Sequence, residues 1–151
     1  MKNFKTTFVT ETDKPEWRAL FDGYAGFYGV TMTDAIASEV WRWLTDPDHV
    51  LEGLITRDDT GKAVAIAHVR PCPRSLAGSE IGFLDDLYVS EQARGSGAAD
   101  AIFEALRNLA QERGWSSVRW ITQHFNERAR AFYDKYTSGL SDFIVYQWNQ
   151  S

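Results

Sequence analysis

Residues 82–99, Gly-Phe-Leu-Asp-Asp-Leu-Tyr-Val-Ser-Glu-Gln-Ala-Arg-Gly-Ser-Gly-Ala-Ala, read as an apolar strand broken by two carboxylates and running through a glycine-bearing turn into a helix. Such a turn directs unpaired backbone N–H groups and the positive end of a helix dipole outward, which makes an anion site. Small residues at Gly95, Gly97, Ala98 and Ala99 let main-chain amides approach oxygens unobstructed, while Arg94 adds a charge. Two other glycine motifs do not fit. No Lys follows Gly97 as a P-loop requires, and Asp100 stands where a dinucleotide fingerprint begun at Gly95 needs glycine. A strand bearing potential bases beside a phosphate cradle points to an enzyme whose substrate arrives on a phosphorylated carrier.

Outward from this stretch, the pattern predicts strands over 4–12, 50–56, 62–69, 80–90, 117–123 and 143–148. Asp58-Asp59-Thr60-Gly61 is a hairpin signal between the second and third. Residues 70–78 read as a loop, because Pro71 and Pro73 cannot donate ladder hydrogen bonds. Thr12 or Asp13 caps a first helix carrying Trp17, Leu20, Phe21, Tyr24, Phe27 and Tyr28, with Gly23, Gly26 and Gly29 suggesting a bend or early stop. A second helix follows Thr31–Asp34 with Ile36, Val40, Trp43 and Leu44 as its apolar stripe. A third spans about 95–113 and closes at Gly114. Asn126 caps a fourth, whose buried side would be Ala129, Phe132, Tyr133 and Tyr136. The order is β-α-α-β-β-β-α-β-α-β: an α/β (α+β) fold with a mixed, mostly antiparallel sheet flanked by helices.

At 151 residues, 44% hydrophobic and 25% charged, the chain has the size and composition of one soluble domain over 1–151. Its net charge of −5, with no adjacent basic residues, disfavours nucleic acid and suits a cationic substrate. Cys72 is alone, so no intrachain disulfide forms, and His49, His68 and His124 are too scattered to imply a metal. The polar start and the lack of a long apolar run lead to the expectation of a cytoplasmic protein that does not enter membranes.

Arg94 to Ala99 resembles motif A of the GNAT superfamily of N-acetyltransferases, R/Q-x-x-G-x-G/A. Leu87-Tyr88-Val89 is similar to the splayed strand before that motif, and Asn126 to Tyr133 to the family's N-x-x-A-x-x-F/L-Y helix. Within the family, residues 84–89 look most like polyamine (spermidine/spermine-type) acetyltransferases and small yeast enzymes acting on histones or amino acids. Tyr136-Thr137-Ser138-Gly139 departs from the usual Leu-Gly-Phe. The resemblance implies acetyl-CoA as cosubstrate, with the N–H groups of Gly95, Ser96, Gly97, Ala98, Ala99 and Asp100 on the pyrophosphate. Leu87 to Val89 would pair with the pantetheine amides, and Asn126 and Ala129 would also touch the carrier. A homodimer is implied in the same way.

Acetyl transfer needs an uncharged amine, yet an alkylamine has a pKa near ~10.4, so a base must remove a proton. Asp85 and Asp86 are the candidates. Neighbours on a regular strand face opposite ways, so both serve one pocket only if a bulge re-aims them. The polyamine-type pattern implies Asp85 as base and Asp86 as a holder of the cationic substrate; the alternative for Asp85 is a cap or an Arg partner. Tyr133 can return a proton to the departing thiolate, since a phenol titrates near ~10 and a thiol near ~8.5; alternatively it packs in the core. Tyr28 is a candidate substrate contact. These residues point to transfer of acetyl to a primary amine of a small metabolite. The alternatives are a protein-lysine acetyltransferase and a non-catalytic acyl-CoA sensor.

Overall fold

The computed structural model describes residues 3–150 and divides into two compact units, Met1–Trp120 and Ile121–Ser151. The first holds a five-stranded sheet in the order β1 (Lys5–Phe8), β2 (Glu52–Arg57), β3 (Ala63–Arg74), β4 (Ser79–Val89) and β5 (Val118–Trp120). The first four pair antiparallel; β5 joins β4 in parallel after the crossover helix. The mostly antiparallel mixed sheet is the expected architecture.

Helix α1 (Lys14–Phe27) begins at Asp13 with Pro15 in its first turn, where a missing N–H costs nothing. It runs through Gly23 and Gly26 without the expected early stop, and the chain turns at Gly29, φ 68°. Helix α2 (Asp34–Thr45) is capped by the Thr33 hydroxyl, which accepts from Ile36 N–H. Its fully buried residues are Ala37 and Trp41; of the stripe read from the sequence, Val40 and Leu44 are half-buried against that core, while Ile36 is exposed. Trp41 wins because it lies 4.9 Å, ring to ring, from the fully buried Trp17. Phe27 and Tyr28, at the end of the α1 pattern, are exposed.

The middle of β3 is buried on both faces. Ile66 packs with Trp17, Phe21, Trp41 and Ile55 on the α1/α2 side. Ala65, Ala67 and Val69 alternate to the other side, where α3 (Ala98–Arg113) supplies Ile102, Leu106 and Leu109. Fully burying one such aliphatic side chain contributes about 1.5–3 kcal/mol.

Three readings need correction. β1 ends at Phe8 rather than 12, because Thr10 turns the chain by accepting Asp13 N–H on its carbonyl while Asp13 Oδ2 takes its own N–H. Residues 70–74 are not loop but the far end of β3, paired to β4 through Arg74↔Ser79. β2 begins opposite Val69, so beyond that point β3 has one neighbour only among the described residues. N–H directions alternate along a strand, so Pro71 and Pro73 can both spend their missing donor on the vacant side. Lastly, residues 143–148 form no strand: their backbone has no ladder partner among the described residues, and Phe143, Ile144, Val145, Tyr146 and Trp148 are exposed.

The second unit contains α4 (Glu127–Asp134), capped as expected by Asn126 Oδ1 accepting from Ala129 N–H at 3.2 Å. Ala129, Arg130, Phe132 and Tyr133 are half-buried on it, as is Tyr136 just past its end, and none is fully buried.

Candidate active site

The pairing of β3 with β4 shifts at one place. His68 stands opposite Asp86 and Val69 opposite Leu84, leaving Asp85 as an extra residue on β4. This is a β-bulge, and it decides where the carboxylates point. His68 and Arg70 are two apart on β3 and share a face. His68 Nδ1 lies 2.8 Å from Asp86 Oδ2, and Arg70 Nε donates to Asp85 Oδ2 at 2.8 Å. Both adjacent aspartates therefore serve the α1 face, which a regular strand forbids.

Asp86 has the more elaborate setting. Burial alone would push its pKa up, but the hydrogen bond from His68, with a further bond from the Tyr24 hydroxyl, holds it below the usual carboxylate value. Tyr24 meets Tyr28 edge-on at 5.1 Å and Tyr88 at 6.2 Å. Asp85 is anchored by Arg70, whose guanidinium lies 4.7 Å over the Phe83 ring. Each carboxylate is about 28–29% exposed, so solvent and substrate can reach both.

Beyond Leu84 the parallel ladder to β5 ends, although β4 continues to Val89. On that side, residues 85–89 present an open backbone edge among the described residues. Leu87, Tyr88 and Val89 thus offer main-chain groups to an extended ligand, in the manner of an added strand.

The turn after β4 has the geometry of an anion cradle. Gly95 (φ 77°) and Gly97 (φ 103°) are left-handed, a conformation L side chains avoid. Gly97 is the N-cap of α3, so the first amides of the helix lack intrahelical acceptors. Among the described residues, no backbone carbonyl takes the N–H of Gly95, Gly97, Ala98 or Ala99. Ser96 is tied inward instead, its N–H and hydroxyl both donating to the Ala93 carbonyl. Arg94 donates from Nε to the Val89 carbonyl at 3.3 Å and lies within 6 Å of the Phe27 and Tyr88 rings. Asn126, Ala129 and Tyr133 stand on α4 in the second unit. No group of three or more metal-ligating side chains occurs among the described residues.

Sequence reasoning missed His68, Trp17, Tyr24 and Arg70. The only signal for the first was a histidine in an otherwise apolar strand. A separate cavity of about 700 Å³, lined by residues such as Val9, Leu44, Pro47 and Arg113, includes none of the carboxylate or cradle residues.

The sequence profile of the acetyltransferase (GNAT) family matches residues 14–137, and the chain belongs to that family of acyltransferase enzymes. It is 32% identical over 142 residues to the D-amino-acid N-acetyltransferase HPA3 of Saccharomyces cerevisiae, covering 93% of this chain and 88% of the relative. It is 27% identical over 116 residues to the uncharacterized N-acetyltransferase YhfO of Bacillus subtilis, covering 77% of this chain and 76% of that one. Among solved structures, aminoglycoside N-acetyltransferase AAC(6')-Iy in complex with CoA superposes with a TM-score of 0.84 at 16% identity, over 100% of this chain and 97% of the other. That likeness is one of fold. The family uses acetyl-CoA, and the free amides of the cradle and the open β4 edge fit such a carrier.

Proposed function

We propose that this chain binds acetyl-CoA and transfers the acetyl group to the primary amine of a small metabolite, with an amino acid as the favoured acceptor. The bulge at Asp85 carries this reading, because it gathers an anchored carboxylate, a second carboxylate and a guanidinium on one face of the β3/β4 pair. Asp86 takes the acceptor's ammonium, and Arg70, whose Nε alone is engaged by Asp85, offers its terminal nitrogens to a carboxylate. The relative acting on D-amino acids supports that choice.

The N–H groups of Gly95, Gly97, Ala98 and Ala99 hold the pyrophosphate, the Ser96 N–H being spent on the Ala93 carbonyl, and Leu87 to Val89 align the pantetheine arm; Asn126 and Ala129 join them. Acetyl-CoA, when bound, supplies an acyl thioester open to attack by nitrogen. Asp86, already kept ionised, orients the ammonium. Asp85 removes its proton directly or through water, and a main-chain N–H near Tyr88 or Val89 polarises the carbonyl. As the C–N bond forms and the C–S bond breaks, Tyr133 gives its proton to the leaving sulfur, and the acylated nitrogen releases its second proton through water, which restores the phenol. Tyr28, through its contact with Tyr24, lines the acceptor side.

The same proposal includes a cytoplasmic homodimer. Exposed Leu140, Phe143, Ile144, Val145, Tyr146 and Trp148 form more apolar surface than a lone chain usually shows, and a second copy covers it. Light scattering reads that directly; a monomer at working concentration sinks it.

The deciding experiment mixes acetyl-CoA with a panel of D- and L-amino acids, polyamines and lysine peptides and follows free thiol. Release with an amino acid supports the reading. CoA binding without release on any amine would instead mark a sensor.

A further inference from the structure

His68 is completely buried, yet both of its ring nitrogens are engaged. Trp17 Nε1 donates to His68 Nε2 at 3.0 Å, and Trp17 is itself completely buried. An indole N–H can only donate, so Nε2 must accept and the imidazole proton sits on Nδ1. Nδ1–H then donates to Asp86 Oδ2, at 2.8 Å. A second ring proton would set two N–H groups against each other inside the core and leave the buried indole N–H without an acceptor.

An unrestrained histidine beside a carboxylate behaves differently. It takes up a proton near or above its ordinary pKa of about 6.5, and the resulting imidazolium competes with any cationic ligand for the same aspartate. We infer that Trp17 and His68 are positioning residues that hold Asp86 as an ionised, oriented anchor for the acceptor's ammonium, the indole being the lock that denies His68 a second proton. This rests on the proposed role of Asp86. The other titratable or charged groups around the pair are Tyr24 on α1, Asp85 and Tyr88 on β4, and Arg70 on β3. Phe21 of α1 meets the His68 ring edge-on and Gly53 of β2 stands opposite His68; neither carries a charge.

The lock is read by ¹⁵N NMR of the His68 ring and by the acceptor's KM against pH. In the wild type, the ring nitrogens report a single Nδ1–H tautomer of His68 and the acceptor's KM is flat with pH. Trp17→Phe keeps the ring but loses the donor, so His68 titrates. The acceptor's KM then rises about tenfold or more as pH falls, as expected for loss of a charge-assisted contact, while the KM for acetyl-CoA stays put. His68→Gln, whose amide can accept from Trp17 and donate to Asp86, restores a flat profile; His68→Leu raises the acceptor's KM at every pH. A wild-type His68 that titrates or carries its proton on Nε2 overturns the inference, as does a Trp17→Phe profile parallel to the wild type. Should Trp17→Phe fail to fold, the wild-type spectrum and His68→Gln decide. Wild type releasing no thiol with any amine removes the proposed function, while the nitrogen spectra still report on the lock.

Discussion

The Tyr88 ring lies so close to Gly23 that a Cβ on the glycine would stand 2.6 Å from the phenolic oxygen and 2.9 Å from two ring carbons. This contact sets how near α1 comes to the open edge of β4. Alanine is better than glycine inside a helix by about 1 kcal/mol. Here the overlap with a ring flanked by Tyr24 and Arg94 reverses the sign. Gly23→Ala should lower stability by about 1 kcal/mol in urea titrations and weaken CoA binding. On a Tyr88→Ala background the same change should stabilise, giving a large coupling in the double-mutant cycle.

Gly97 tests the cradle. Its φ of 103° strains any side chain, and it begins α3. Gly97→Val should cost about 1–2 kcal/mol of stability, the usual penalty for a left-handed L-residue. It should also reduce CoA affinity at least about tenfold by calorimetry, as the amides lose their alignment. Unchanged affinity in a folded variant would remove the anion site from this turn.

The two aspartates should separate kinetically. Asp85→Asn is expected to lower kcat by about 10²–10⁴, the range for loss of a general base. Asp86→Asn should act mainly on the acceptor's KM, since the lost contact is made before and during transfer. Tyr133→Phe should lower kcat with little change in the KM for acetyl-CoA. Steady-state kinetics with both substrates varied reads all three, and identical effects of the two Asn variants would dissolve the division of labour.

Arg57 carries a prediction about acid. It bridges Asp13 and Glu16 and also reaches the Gly61 carbonyl. Burial pushes Asp13 up, but the Thr10 N–H and Arg57 bring it below its ordinary value; Arg57 and the Ala63 N–H lower Glu16. Lowered carboxylates stabilise above their unfolded pKa values, about 4, and lose that contribution as pH falls through the folded ones. Arg57→Met should cost about 2 kcal/mol at neutral pH, less than for a fully buried pair because Glu16 is 44% exposed. The difference should shrink toward pH 3 in urea melts.

Much of this was legible in the sequence because local rules and tertiary structure agree there. Gly95 and Gly97 needed left-handed backbone, Asn126 was placed to cap, and Asp58 to Gly61 closed a hairpin. The features that escaped depend on what lies across the sheet. Nothing local marks Asp85 as a bulge; it exists because His68 and Val69 choose Asp86 and Leu84 as partners. The prolines after Val69 read as a break because propensity cannot know that β2 stops short. Residues 143–148 alternate well enough for a strand, but alternation supplies no neighbour to pair with. The Trp17–His68 contact spans fifty-one positions of chain and has no local signature at all.

The overhang of β3 has one last effect. Pro71 and Pro73 leave that flank of the strand without main-chain donors, so an incoming extended segment finds carbonyls but no complementary hydrogens. The protein can therefore keep a long two-stranded arm, with Arg70 and Cys72 on it, projecting past the sheet without inviting other molecules to zip onto it.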